Sequence, residues 1–66
     1  MKAVKFDRKI VQRGDLLALK KDETRRLLFK FMGLHGDVIA TWLEPAEGRP
    51  SDVILRQCDV VRLVSA

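Results

Sequence analysis

Residues 25–33 read RRLLFKFMG, and whether they form a helix or a strand decides the fold. Leu27, Leu28, Phe31 and Met32 fall at i, i+1, i+4 and i+5, on one face of a helix that Gly33 would end. Read with a period of two, Leu27, Phe29 and Phe31 alternate with Leu28, Lys30 and Met32, as in a strand buried on much of both faces. The residues that follow favour the strand. Leu34-His35-Gly36-Asp37 is a compact turn, and Val38 to Leu43 (VIATWL) is rich in β-branched and aromatic residues. The two runs therefore pair as a hairpin with residues 26–33 as its first strand. A helix at 25–33 is the alternative, and it would make the fold α+β.

Upstream, Arg13-Gly14-Asp15 is turn chemistry that launches the short apolar run Leu16 to Lys20, the first firm strand. Lys21-Asp22-Glu23-Thr24 is polar and fits a loop, although Asp22 equally suits a helix cap. Residues 1–12 alternate apolar and charged groups through Val4, Phe6 and Ile10, which fits either a short edge strand or a loose arm. Downstream, Glu44 to Pro50 holds both prolines and a glycine, which forbids ladder pairing and marks a surface loop. Residues 51–57 read as a strand, Cys58-Asp59 as a tight turn, and Val60 to Val64 as a closing strand. With no repeat, low-complexity tract or linker, residues 1–66 are expected to form a single domain. Four to five short antiparallel strands suggest a mostly β fold, a small SH3-like barrel, because closure removes sticky sheet edges.

The progression from Gly14-Asp15-Leu16 through Leu19-Lys20, Gly33, Val38 to Trp42 and the closing Asp59-Val60-Val61-Arg62-Leu63-Val64 resembles the YodC-like family of small bacterial proteins. It is also similar to other SH3-like barrels, including KOW-type modules and the plasmid-borne type II dihydrofolate reductases. Those reductases line their pore with a valine, glutamine, isoleucine, tyrosine run on the penultimate strand, where this chain has Val53-Ile54-Leu55-Arg56. The amide and the phenol are both missing, so folate and nicotinamide binding are not carried over.

Hydrophobic residues make up 47% of the chain and charged ones 33%, a balance unlike that of disordered segments. The lone Cys58 allows no internal disulfide and no metal cage, so packing or self-association must stabilise a domain this small. A free thiol, no run long enough to span a bilayer and no apolar signal segment near Met1 lead to the expectation of a cytoplasmic protein without a membrane role.

General acid–base chemistry needs convergent titrating groups, and the chain has one His, one Cys and no Tyr, so no enzymatic activity, cofactor or small-molecule substrate is expected. His35 reads as an ordinary turn residue and Cys58 as a small buried hydrophobe. No phosphate-cradling glycine loop or metal-ligand spacing is present.

Charge is the more informative signal. Of the formal net +4, residues 1–33 carry ten Lys/Arg against four acids, while residues 34–66 carry three Arg against five acids. Lys20, Lys21, Arg25 and Arg26, with Lys30 behind them, are expected to gather on one loop and its flanking strand ends, where they would contact phosphates of DNA or RNA in a sequence-tolerant, salt-dependent way. The competing reading is a solvated edge, since Lys20-Lys21-Asp22-Glu23 is internally compensated. Trp42 either offers a stacking platform for bases or, if it shares a face with Val38 and Ala40, closes the core or an oligomer seam. The rival functional reading is a protein-interaction or self-assembling module, a homo-oligomer or a protein partner covering apolar surface at Phe29, Met32 and Trp42, with Leu28 beside them.

Overall fold

Short runs of apolar and β-branched residues punctuated by glycine turns pair wholly as strands in the computed structural model, which describes residues 1–44, 48 and 51–65. The strands are β1 (Lys2–Lys5), β2 (Leu16–Leu19), β3 (Asp22–Met32), β4 (Val38–Trp42), β5 (Asp52–Leu55) and β6 (Val60–Val64), with a 3-10 turn at Gln57–Asp59 before β6. They form one antiparallel sheet in the order β1-β6-β2-β3-β4-β5. The fold is therefore mostly β, with six strands where four to five were expected. Closure by hydrogen bonds is not present: β1 and β5 are the two edges of an open sheet.

The strand reading of residues 26–33 holds, and the helix reading falls. The loop expected at residues 21–24 shrinks to a turn at Lys20-Lys21, because Leu19 pairs with Asp22 and β3 begins there. Residues 2–5, left open between edge strand and arm, are an edge strand on β6. Of the loop expected at Glu44 to Pro50, residues 45–47, 49 and 50 lie outside the described residues.

Directly paired residues in an antiparallel ladder point to the same face. One face holds Leu17, Leu27 and Trp42 across β2, β3 and β4, then Phe29 with Ala40 and Val53, and Val38 with Leu55. Leu17, Leu27, Val38 and Ala40 have no exposed surface at all. No helix longer than the three-residue 3-10 turn is available among the described residues to cover that face. The sheet must therefore curl over itself, with Phe6, Val11 and Val60 completing the cluster from the chain's beginning and end. Phe6 meets Phe29 with ring centroids 6.1 Å apart and planes tilted by 54°, a favourable aromatic geometry. Trp42 packs against this cluster, half-buried, on the same face as Val38 and Ala40.

Two irregularities in β3 allow the curl. Between Phe29 and Phe31 the ladder to β4 advances two residues against one, so Lys30 is bulged. The bulge reverses the alternation: Phe29 points inward and Phe31 outward, although strict alternation would put both on one face. Nearer the β2–β3 turn, one step along β2 from Ala18 to Leu19 answers four along β3 from Arg26 to Asp22. Glu23, Thr24 and Arg25 therefore bow out of the ladder.

The ends of the sheet are tied by polar contacts. Asp15 accepts a hydrogen bond from the Gln12 N–H through Oδ2 at 2.7 Å, and the Gly14 N–H donates to the Phe29 carbonyl at 2.8 Å. Arg62, across from Leu17 on the inner face, donates from Nη1 to the Ile10 carbonyl at 3.3 Å and holds down the turn after Phe6. Cys58, expected as a buried hydrophobe, is exposed, because it lies in the 3-10 turn and not within a strand.

Gly36, in the β3–β4 turn, has φ of +81°, and its carbonyl accepts a hydrogen bond from Gln57 Nε2 at 2.7 Å. A Cβ at this position would stand 3.3 Å from Nε2 and would force an L-residue into a left-handed backbone. Gly36→Ala is accordingly expected to destabilise the fold by about 1–2 kcal/mol, measured by urea unfolding. A variant as stable as the parent would contradict this geometry.

Candidate functional site

Residues Lys20 to Arg26 (KKDETRR) carry four cations against two acids, and the β2–β3 hairpin carries them to one end of the sheet. Lys20 and Lys21 form the exposed turn, with the Lys20 N–H held by the Asp59 carbonyl at 2.8 Å. Asp22 organises the next step. Its Oδ1 accepts from the Thr24 N–H at 3.2 Å and the Thr24 hydroxyl at 2.6 Å, a local turn that helps β3 bow outward. Those two hydrogen bonds, hydroxyl first, hold the Asp22 carboxyl below its ordinary value, with a further contribution from Arg25.

The bow delivers Arg25 to Trp42. Its guanidinium carbon lies 4.3 Å from the indole ring centroid, a cation–π contact. Trp42 is fixed from behind by the core and through its backbone, whose N–H donates to the Ser51 carbonyl at 3.2 Å. The Arg26 carbonyl accepts from the Leu43 N–H at 3.0 Å, which clamps β3 to the chain leaving β4. Between them lies a cavity of about 350 Å³ lined by Glu23 to Arg26 and by Trp42, Leu43 and Glu44. A guanidinium over an indole, a second arginine beside it and carboxylates at the margin make a polar cleft with one aromatic wall. Its chemistry is that of binding: planar rings by stacking, and anions by the guanidinium groups.

Lys30 does not belong to this group. It stands on the outer face, opposite to Trp42, where its Nζ meets Asp52 Oδ2 at 2.9 Å. Asp52 also accepts from the Thr41 hydroxyl at 2.6 Å through Oδ1. The three proposed interaction residues also part company. Phe29 is core, at 6% exposure, and cannot be a surface contact in this fold; Met32 is half-buried against the same cluster; only Trp42 borders the cleft.

The exposed apolar groups are elsewhere. Phe31, Ile39 and Ile54 are paired in a row across β3, β4 and β5 on the outer face, and Leu16 with Leu28 flanks them across β2 and β3. Sequence reasoning missed Phe31 because the Lys30 bulge changes which residues share a face, whereas Ile54 faces outward by plain alternation between Val53 and Leu55. The charged lysine in an otherwise apolar run was the available signal. Among the described residues no cluster of His, Cys, Asp and Glu could hold a metal ion.

No protein-family model matches the chain, and no curated protein or solved structure matches it either.

The Thr41 hydroxyl and then Lys30 hold the Asp52 carboxyl below its ordinary value. A depressed carboxyl stabilises the fold above its unfolded value, and the contribution is lost as pH falls through the folded value. Asp52→Asn should therefore be less stable than the parent at neutral pH, with the difference shrinking below about pH 4. A difference in melting temperature that stays constant from neutral pH down to acid would contradict this.

Proposed function

We propose that the chain is a small SH3-like binding module that holds single-stranded nucleic acid at the β2–β3 hairpin end. The SH3-like reading is supported by the meander β2-β3-β4-β5, followed by a 3-10 turn and a last strand that returns beside β2. Kinship with the YodC-like small proteins is part of the same proposal and rests on the Gly14-Asp15 strand start, Trp42 and the closing strand.

The observation that carries the nucleic-acid reading is the stacking of Arg25 on Trp42. Bases splayed from a single strand stack on aromatic rings and on arginine planes alike, and a guanidinium already held over an indole loses little freedom on binding. Arg26 lines the same cleft, and Lys20 and Lys21 at the exposed hairpin turn add cations for the sugar-phosphate backbone. Glu23 and Glu44 at the cleft margin repel phosphate, so the strand's backbone runs on the turn side of the cleft and a base enters it. No donor pattern suited to reading base identity is present in the cleft, so binding is sequence-tolerant.

Fluorescence anisotropy with labelled single-stranded DNA and RNA in ~50 mM salt tests this. Binding is expected to weaken steeply with salt, by a log–log slope of about −0.7 for each phosphate neutralised. Arg25→Ala should weaken binding about fivefold or more, from lost stacking worth roughly 1–3 kcal/mol. Lys30→Ala should leave it unchanged. Absence of binding, or equal losses in Arg25→Ala and Lys30→Ala, would refute the proposal.

A further inference from the structure

The outer face of β2–β5 has no covering element among the described residues, and its apolar groups are large. Ile54 is 70% exposed, Phe31 54% and Leu28 36%, with Leu16 and Ile39 half-buried beside them. Cross-strand pairing makes Phe31, Ile39 and Ile54 one continuous row. We infer that this face is an interface between two copies of the chain, which pack outer sheet on outer sheet about a two-fold axis. This goes beyond the nucleic-acid reading, involves none of the residues assigned to it and stands whether or not that reading does.

Three observations select a second copy as the occupant. The first is charge. The molecule is formally +4, yet beside this row Lys30 and Asp52 neutralise each other at 2.9 Å, and Arg26, which alternation puts on the same face, stands at its hairpin end beyond Leu28. A polyanion gains nothing from the row itself, whereas a second neutral apolar face can desolvate against it. The second is shape. A row of outward side chains across three neighbouring strands interdigitates with an identical row when two sheets stack about 10 Å apart. A two-fold axis makes the patch its own complement, with Ile54 of one copy set against Phe31 and Leu28 of the other.

The third is size. A chain of 66 residues with no internal disulfide is short of burial, and self-association is one of the few ways left to add to it. The patch also sets the strength of the dimer. Four strands about 4.8 Å apart give a footprint of roughly 20 by 17 Å, below the ~800 Å² per partner of a tight complex. The dimer is therefore reversible, with dissociation in the micromolar range or weaker. The cations Lys20 and Lys21 sit at the hairpin turn, away from the Phe31–Ile54 row, so both copies keep their basic ends open.

Sedimentation equilibrium of the full chain, from about 10 µM to about 1 mM in ~0.15 M salt, reads this directly. The average mass is expected to rise from 7.6 kDa toward twice that value. Ile54→Lys and Phe31→Glu should each hold the chain at monomer mass with the circular dichroism spectrum retained. Ile10→Lys, at an exposed apolar residue outside the strands, should leave the association unchanged. A strict monomer at the highest concentration overturns the inference, including one that cosediments with phosphatidylcholine vesicles. Association that survives both Ile54→Lys and Phe31→Glu overturns it too.

Discussion

A single sheet with no helix to lie against must bury its inner face with its own strands, and nearly every feature of this molecule follows from that constraint. Leu17, Leu27 and Val38 are sealed because the sheet bends until strands distant in the order, and the chain before β2, cover them. Bending requires the ladder to yield somewhere, and both breaks fall in the longest strand, β3. One break leaves Phe31 outward next to Lys30, so the outer face holds the apolar row beside the ion pair. The other bows residues 23–25 out and brings Arg25 onto Trp42. The cleft and the bare face are thus by-products of how one strand bends.

The same constraint limits what chemistry the chain offers. Inward positions are consumed by the core, leaving polar function to the strand ends and the turns. The hairpin end is the place where cations, an indole and a small cleft meet. Its rigidity comes from Trp42 being half core and half wall, so the platform is held by the same packing that holds the fold. The outer face differs in kind: it is apolar along the Phe31, Ile39 and Ile54 row, with Lys30 paired to Asp52 beside it. Of the residues weighed from the sequence for an interaction surface, Trp42 borders the cleft, Phe29 and Met32 pack in or against the core, and Leu28 lies on the outer face.

Much of the strand pattern was legible in the sequence because glycine turns and β-branched runs report it locally. Gly14-Asp15, Leu16 to Leu19, Val38 to Trp42 and Val60 to Val64 fall where turn chemistry and apolar alternation put them. The basic hairpin was visible as composition, but its internal geometry was not, since the three-residue bow in β3 comes from a register shift between Ala18 and Leu19 that no local pattern marks. The Lys30 bulge was equally hidden. A one-residue shift reverses inside and outside, and that single step put Phe31 on the surface while Phe29 stayed in the core. Cys58 was misplaced because a lone cysteine was read as core, although the turn expected at Cys58-Asp59, a 3-10 turn in the structure, leaves it exposed.

The central claim is that one curled sheet closes around the Leu17, Leu27 and Val38 cluster and that this cluster governs its stability. Native-state hydrogen exchange measures this most directly, since amides released only by global opening report the last structure to be lost. The amides of β2, of Leu27 to Phe29 and of β4 should exchange slowest and share one opening free energy, with β1 and β5 opening more readily at the edges. Slowest exchange in β1 or β5, or uniformly fast exchange across β2 to β4, would contradict the account.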